Sequence, residues 1–233
     1  MKAILLFTSL LLLAGCAGQQ PEGLRQLFGN TSCAKPDADQ QLSLNLADEM
    51  LNEGRPHASL AHLEQLPNNL DQVRLRKARV SRLLGRSEAE PLYRSLLGGC
   101  LAAEGEHGLG QLASARGDDV QALQNLQRAA RLAPTDERVR NDLGVVLMNL
   151  GRYEQARFEF LTAVELKDDN PLPAVNLVTL SLLQDNWQQA TDLVGRLRLK
   201  PDQFAQAQDR ASQIKANGRG PLASATRATE MVN

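Results

Sequence analysis

The feature that most restricts the fold of this chain is an internal repeat with a period of 34 residues. The pair Leu109-Gly110 recurs one period later as Leu143-Gly144, and Leu177 takes the same place in a third copy. Four more sets of residues follow the same step: Gly117, Gly151 and Asp185; Ala122, Ala156 and Ala190; Leu126, Phe160 and Val194; Ala129, Ala163 and Leu197. A fixed period of this length is the signature of stacked structural repeats. The chain is therefore predicted to fold as an array of similar units.

Each copy has the pattern of two helices joined by a tight turn. The first helix, helix A, carries Leu143 and Gly144 on one face, and a glycine at position 151 allows the turn. The second, helix B, places Ala156, Phe160 and Ala163 at i, i+4 and i+7, which is one face of a helix. Small residues opposite bulky ones let the two helices interlock. One such pair cannot bury its apolar face alone, so the pairs are expected to stack.

The period weakens toward the N-terminus but persists there in two turn glycines, Gly54 and Gly85, each followed by an arginine. Aromatic residues make up only 3% of the chain, which disfavours β-sheets, whereas leucine, alanine, glutamine and arginine are abundant helix formers. The fold class predicted is therefore all-α. We expect five helix pairs and a capping helix that covers the last apolar face, at about 40–68, 70–99, 103–136, 137–170, 171–201 and 203–217.

Residues 1–15 have the pattern of an export signal. Lys2 precedes an apolar run from Ala3 to Leu13 that is too short to span a bilayer. The run ends in LAGC, which resembles the bacterial lipobox, and this resemblance implies lipidation of Cys16 and a palmitate-type anchor. Ala17, rather than an aspartate, follows the cysteine, which by resemblance implies the periplasmic face of the outer membrane. The alternative is an ordinary secretory signal in which Cys16 falls by chance.

Two weakly patterned stretches flank the repeats. Residues 16–39 are polar and contain prolines and glycines, so they are predicted to form a tether. Residues 218–233 are predicted to be a disordered tail.

The sequence offers no group of residues suited to catalysis. The three histidines, His57, His62 and His107, are not spaced with cysteines or carboxylates as a metal site requires. Nucleotide-binding and nucleophile motifs are absent from the sequence. A formal net charge of −1 disfavours nucleic acid as a partner. We therefore expect a non-enzymatic protein with no cofactor, no metal and no small-molecule substrate.

The repeated positions resemble the tetratricopeptide repeat, and this resemblance implies a right-handed superhelical solenoid whose A helices line a concave groove. Arg79 and Arg82 then belong to a polar first half of the groove. Units four and five are expected to contribute a more apolar set: Asn141, Val145, Met148, Leu172, Val175, Thr179 and Leu182. An apolar strip with a polar rim is typical of a surface that binds a protein segment. The alternative is that the helix at 203–215 folds over these residues and makes them core.

A cationic stretch in the second unit allows two interpretations. Arg79, Arg82 and Arg86 share one side of a helix, and no acidic residue occurs from Gln72 to Ser87. The three arginines form either a solvated face or a contact for anionic lipid headgroups or an acidic partner segment.

Two cysteines remain if Cys16 is lipidated. Cys33 precedes the first repeat helix by about six residues, and Cys100 precedes helix A of unit three. The starts of these helices should lie about 20 Å apart, a distance that six extended residues can span. A Cys33–Cys100 disulfide is therefore allowed, and two buried free thiols are the alternative.

The layout of signal, lipobox, short tether and five repeats resembles the TadD-type lipoproteins of the tight-adherence (Flp) pilus system. The resemblance implies a non-enzymatic adaptor in pilus assembly and secretion. Its partners would be the pilus secretin or other assembly proteins. A pilotin of type IV pili, a subunit of a general outer-membrane assembly machine, and a periplasmic enzyme that uses the repeats as a platform are the alternatives.

Overall fold

The computed structural model describes residues 33–167 and 169–217. Cys16, most of the predicted tether and the tail 218–233 lie outside the described residues. Within them the chain forms helices and no strand: α1 (Ala38–Asn52), α2 (Pro56–Glu64), α3 (Asp71–Leu83), α4 (Ala89–Arg94), α5 (Ala102–Ala115), α6 (Asp119–Leu132), α7 (Glu137–Asn149), α8 (Tyr153–Leu166), α9 (Pro171–Leu183), α10 (Trp187–Arg196) and α11 (Pro201–Ala216).

The helices form five sequential pairs, α1–α2 through α9–α10, and α11 follows them. Within each pair the two helices pack against each other, and helix B of units one to four also contacts helix A of the next unit. This arrangement is a helical solenoid, so the predicted all-α fold of five pairs and a capping helix is confirmed. None of the described helices is long and apolar enough to cross a bilayer.

A residue in the left-handed backbone region stands at the turn between the two helices of each pair. In the fourth unit it is Gly151, with φ of 72°, and the first three units use glycine in the same way. In the fifth unit Asp185 adopts φ of 58°, a conformation that aspartate tolerates better than most residues with a side chain. The repeated glycine of the sequence is therefore explained by backbone geometry.

A second repeated glycine lets helices A and B approach each other closely. A β-carbon on Gly144 of α7 would lie 2.6 Å from the ring of Phe160 on α8. A β-carbon on Gly110 of α5 would lie equally close to Leu126 of α6. Each large residue of helix B thus fills the space that the glycine leaves open.

The apolar core is divided along the chain. One cluster joins units three to five and α11, and its largest fully buried side chains include Phe160 and Leu177. A smaller cluster around Leu63 holds units one and two together. A third, around Tyr93, joins unit two to the start of unit three.

The last helix does not continue the stacking pattern. It packs along α9 and makes far less contact with α10. Ala207 and Ala211 are the buried residues of α11, and Phe204 and Ile214 are partly buried against the same core. Helix α11 therefore covers the inner side of the fifth unit.

Candidate protein-binding groove

The A helices α3, α5 and α7, with the start of α9, surround a cavity of about 330 Å³. We call it the groove cavity. Most of its polar lining comes from three helices: Arg79 and Arg82 of α3; Glu104, His107 and Gln111 of α5; Arg138, Asn141 and Asp142 of α7. Leu51, Leu83 and Leu172 contribute apolar edges. The cavity therefore combines three cationic side chains with leucines at its edges.

One carboxylate of the groove cavity joins two consecutive units. Asp142 Oδ2 lies 2.7 Å from His107 Nε2 and accepts a hydrogen bond of 2.8 Å from Gln111 Nε2. Burial by itself would raise the pKa of the Asp142 carboxyl, but the bonds to His107 and Gln111 hold that pKa below its ordinary range. Asp142 is therefore a charged acceptor whose hydrogen bonds are satisfied within the protein.

The same carboxylate begins a chain of hydrogen bonds that crosses the A helices. Asn141 Nδ2 donates to Asp142 Oδ1 over 3.2 Å, and Asn176 Nδ2 of α9 donates to Asn141 Oδ1 over 2.7 Å. Arg210 of α11 completes the chain with a 2.6 Å bond from Nη1 to Asn176 Oδ1. We call the five residues of this chain the polar ladder: His107, Asp142, Asn141, Asn176 and Arg210. It links α5, α7, α9 and α11 through side chains that the apolar repeat pattern does not include.

Arg79 and Arg82 differ from Arg138, the third arginine of the cavity, in having no carboxylate partner among the described residues. Arg138 pairs with Asp136, with 2.6 Å between Nη2 and Oδ2. Arg82 Nε is buried and has no hydrogen-bond partner within the described part of the chain. Burial and the nearby guanidinium of Arg138 lower the pKa of Arg79. Both half-buried guanidinium groups therefore face a cavity in which an external anion could reach them.

Four residues of the predicted binding set are inaccessible, which corrects the expectation of an exposed apolar strip. Val175, Thr179 and Leu182 are at most 3% exposed, and Met148 is fully buried. Helix α11 lies over α9, and Thr179 Oγ1 is 3.4 Å from the carbonyl oxygen of Ala207. These residues are core, as the alternative interpretation of the sequence proposed.

The rest of the predicted set has mixed positions. Arg79, Arg82 and Leu172 line the groove cavity, and Leu172 is 41% exposed. Asn141 is buried in the polar ladder, and Val145 is half-buried. The accessible part of the set therefore comes from Arg79 and Arg82 of unit two and from Leu172 at the start of unit five, with Val145 partly accessible.

The structure places a disulfide between Cys33 and Cys100, whose Cα atoms are 5.3 Å apart. Asp71 Oδ2 lies 3.1 Å from the sulfur of Cys100. These three residues have metal-ligand side chains close together, but the bonded sulfurs are not free thiolates that could hold an ion. The bond fixes the segment before α1 to the start of α5.

One pattern in the sequence, separate from the apolar repeat positions, indicates the polar ladder. Gly108, Asp142, Asn176 and Arg210 are spaced by the same 34 residues, so three polar residues occupy one repeat position. A polar residue at a position that recurs on helix A indicates contact between neighbouring A helices. The partner of each residue could not be deduced without the packing of the units.

The fold and the groove define a class of protein: a helical-repeat solenoid with an open cavity on the face lined by its A helices. The model of the tetratricopeptide repeat family matches residues 113–172. The chain is 42% identical over 201 residues to TPR repeat-containing protein PA4299 of Pseudomonas aeruginosa, covering 86% of this chain and 80% of that protein. The chain therefore belongs to the tetratricopeptide-repeat proteins.

Solved structures show the same fold at lower identity. TTC0263, a thermophilic tetratricopeptide-repeat protein of Thermus thermophilus, superposes with a TM-score of 0.58 at 21% identity, covering 74% of this chain and 97% of that chain. A MamA fragment from Desulfovibrio magneticus has a TM-score of 0.55 at 18% identity, and the match covers 71% of this chain and 96% of that fragment. YrrB, described as a TPR protein with an unusual peptide-binding site, has a TM-score of 0.52 at 19% identity, and the match covers 75% of this chain and 90% of that chain. At these identities the likeness concerns the fold alone.

Proposed function

We propose that this protein is a non-enzymatic adaptor, anchored by acyl chains on Cys16 to the periplasmic face of the outer membrane. Through its groove it binds protein partners during assembly of a Flp-type tight-adherence pilus. The observation that carries the adaptor proposal is the groove cavity, which offers another chain leucine edges and two arginines, Arg79 and Arg82, that have no carboxylate partner among the described residues. Repeat solenoids commonly use such concave surfaces for binding.

Two features support export to the periplasm. The lipobox-like sequence at residues 13–16 follows an apolar run of signal-peptide length. The Cys33–Cys100 disulfide suits an oxidising compartment.

Among the described residues, the His107–Asp142 pair has no serine, threonine or cysteine hydrogen-bonded to the histidine, so it lacks the nucleophile of a hydrolytic site.

The anchor is tested by fractionation of cells that express single variants. Cys16→Ser should remove the acylated residue, so the protein should be soluble or remain an uncleaved precursor. Ala17→Asp should retain the lipoprotein at the inner membrane, as the bacterial sorting rule implies. Ser32→Ala, which lies in the tether outside the lipobox, is the control and should fractionate like the wild type. Outer-membrane association of Cys16→Ser would contradict the proposal.

The partner is tested by placing a photo-crosslinking amino acid in the groove of the full protein in cells. Leu172 is suitable because it is exposed at the edge of the groove cavity. Phe158, which is 64% exposed on α8 and does not line that cavity, is the control position. We expect the probe at position 172, and not at 158, to capture the pilus secretin or another pilus assembly protein. Capture of barrel-insertion machinery, or of no protein, would contradict the pilus assignment.

A further inference from the structure

We propose that the groove cavity binds a side-chain carboxylate of a partner segment in which acidic residues alternate with leucine-like residues. The proposal rests on the proposed function, because it assumes that a polypeptide occupies the groove. It adds the chemistry by which that polypeptide is recognised.

The cationic side of the cavity is the first basis for this proposal. Arg79 and Arg82 lie three residues apart on α3 and therefore on the same side of that helix. Arg82 Nε is buried without a partner among the described residues, and an unsatisfied buried donor costs free energy. That nitrogen is itself out of reach from the cavity, so an entering carboxylate would bind the outer nitrogens of the Arg79 and Arg82 guanidinium groups, since both residues line the cavity. A guanidinium can also bind a carboxylate through two parallel hydrogen bonds.

The carboxylates already present leave these two arginines available. Asp142 is occupied by His107 and Gln111, as its short hydrogen bonds show. Glu104 also lines the cavity and attracts Arg79 electrostatically, but it forms no ion pair within 4.0 Å among the described residues. Of the three arginines that line the cavity, Arg138 is paired with Asp136, so Arg79 and Arg82 are the cations available to an entering carboxylate.

The edges of the cavity favour a polypeptide over a free inorganic anion. Leu83 and Leu172, which come from units two and five, are 56% and 41% exposed. Leu51 of α1 extends the apolar edge further. Apolar side chains on either side of a bound carboxylate could cover these leucines. A chain with alternating acidic and apolar residues meets both requirements.

The experiment measures the binding of labelled nine-residue peptides to the mature, disulfide-bonded protein by fluorescence anisotropy. One peptide has the sequence SGLELELSG with both ends blocked, and the matched peptide replaces each glutamate with glutamine. We expect the acidic peptide to bind roughly tenfold or more tightly than the glutamine peptide, the ratio typical of a hydrogen bond to a charged group.

Variants then locate the preference in the cavity. Arg79→Gln and Arg82→Gln should reduce the preference for the acidic peptide to about one. Arg82→Lys should retain part of it, because an ammonium group keeps the charge but loses the planar fork. Arg86→Gln is the matched control. It removes one positive charge four residues from Arg82, at an exposed position that does not line this cavity. Thermal unfolding monitored by circular dichroism verifies that each variant is folded. If Arg82→Gln does not fold, Arg79→Gln and Arg82→Lys provide the test.

Equal binding of the acidic and glutamine peptides would overturn the proposal. So would an equal loss in the Arg79, Arg82 and Arg86 variants, which would indicate a general charge effect. The crosslink from position 172 separates this failure from failure of the proposed function. If that crosslink captures a pilus assembly protein while the peptides show no preference, the carboxylate proposal is wrong and the adaptor function stands. If the preference holds but no assembly protein is captured, the function is wrong and the chemistry of the cavity stands.

Discussion

Asn176 on α9 donates a hydrogen bond of 2.7 Å to Asn141 on α7, and the two residues are 35 positions apart in the chain. Both side chains are buried, at 0% and 4% exposure. Each amide also has another partner, Arg210 for Asn176 and Asp142 for Asn141. Because consecutive A helices otherwise touch little, this bond adds a specific connection between units four and five.

Asn176→Ala should therefore destabilise the protein. The change leaves Asn141 Oδ1 and Arg210 Nη1 without their partner, and one unsatisfied buried polar group costs about 1–3 kcal/mol. Urea unfolding followed by circular dichroism measures the loss. Gln188→Ala, at an exposed site on α10, is the control and should stay within about 0.5 kcal/mol of the wild type. Equal unfolding free energies for the two variants would show that the bond contributes no stability.

Asp142→Asn should reduce the dependence of stability on acid pH. The pKa of the Asp142 carboxyl is lower in the folded protein than in the unfolded chain, so the carboxyl takes up a proton more readily when the chain unfolds. The stabilising contribution is then present above the unfolded pKa of about 3.9 and is lost as the pH falls through the folded pKa. The variant should be weaker than the wild type by about 1–3 kcal/mol at pH 7, and the difference should shrink below about pH 4.

Unfolding by urea at a series of pH values tests this expectation. Asp192→Asn removes an exposed carboxylate paired with Arg196 and serves as the matched control. It should change stability by less than about 1 kcal/mol at any pH. A difference between Asp142→Asn and the wild type that does not vary with pH would contradict the role assigned to the carboxylate.

Loss of the Cys33–Cys100 disulfide should destabilise the first two units most. The bond closes a loop across a sequence separation of 67 residues, for which chain entropy predicts a stabilisation of about 4 kcal/mol. The core cluster of units one and two is separate from the large cluster of units three to five, so it has fewer contacts to replace the bond. Hydrogen exchange of the Cys33→Ser, Cys100→Ser double variant should increase in α1 and α2 before α7 and α8.

The same variant controls for the reductant. Adding dithiothreitol should lower the urea midpoint of the wild type and leave the midpoint of the double variant unchanged. Equal midpoints for the oxidised wild type and the double variant would mean that the bond does not stabilise the fold.

Gly144→Ala and Gly195→Ala should change stability in opposite directions. A β-carbon at position 144 would lie 2.6 Å from the buried ring of Phe160, and such overpacking costs about 1–3 kcal/mol. At position 195 in α10 nothing lies within 4 Å of the added carbon, so higher helix propensity should stabilise by up to about 1 kcal/mol. Thermal unfolding of both variants measures the two effects. An equal gain in both would mean that Phe160 moves aside without cost.

Much of the fold could be predicted because its signals are local and repeated. Gly151 predicted a turn since glycine adopts a positive φ without strain, and the structure shows φ of 72° there. Gly144 and Phe160 predicted a close pair of helices because the small and the bulky residue recur one helix apart. The resemblance to the tetratricopeptide repeat followed from the same positions, which recur at a period of 34 residues in units three to five.

The accessibility of the groove could not be predicted in this way. Val175 lies on helix A one period after Asn141, which lines the groove cavity, and the sequence left open whether α11 covers Val175 and Leu182. Leucine and valine suit both an exposed binding strip and a buried core, so residue type does not distinguish the two. The position of α11 along α9 decided the outcome.

The sequence by itself determined the repeat, its turns and the helices of each unit, because these depend on contacts between residues that are near in the chain. Only the tertiary structure decided which polar residues of separate units meet. His107 contacts Asp142, and Asn176 contacts Asn141 and Arg210, across separations of 34 or 35 residues. Those contacts depend on the rotation between successive units and on the path of α11. Both are set by the packing of whole helix faces, which a period in the sequence does not specify.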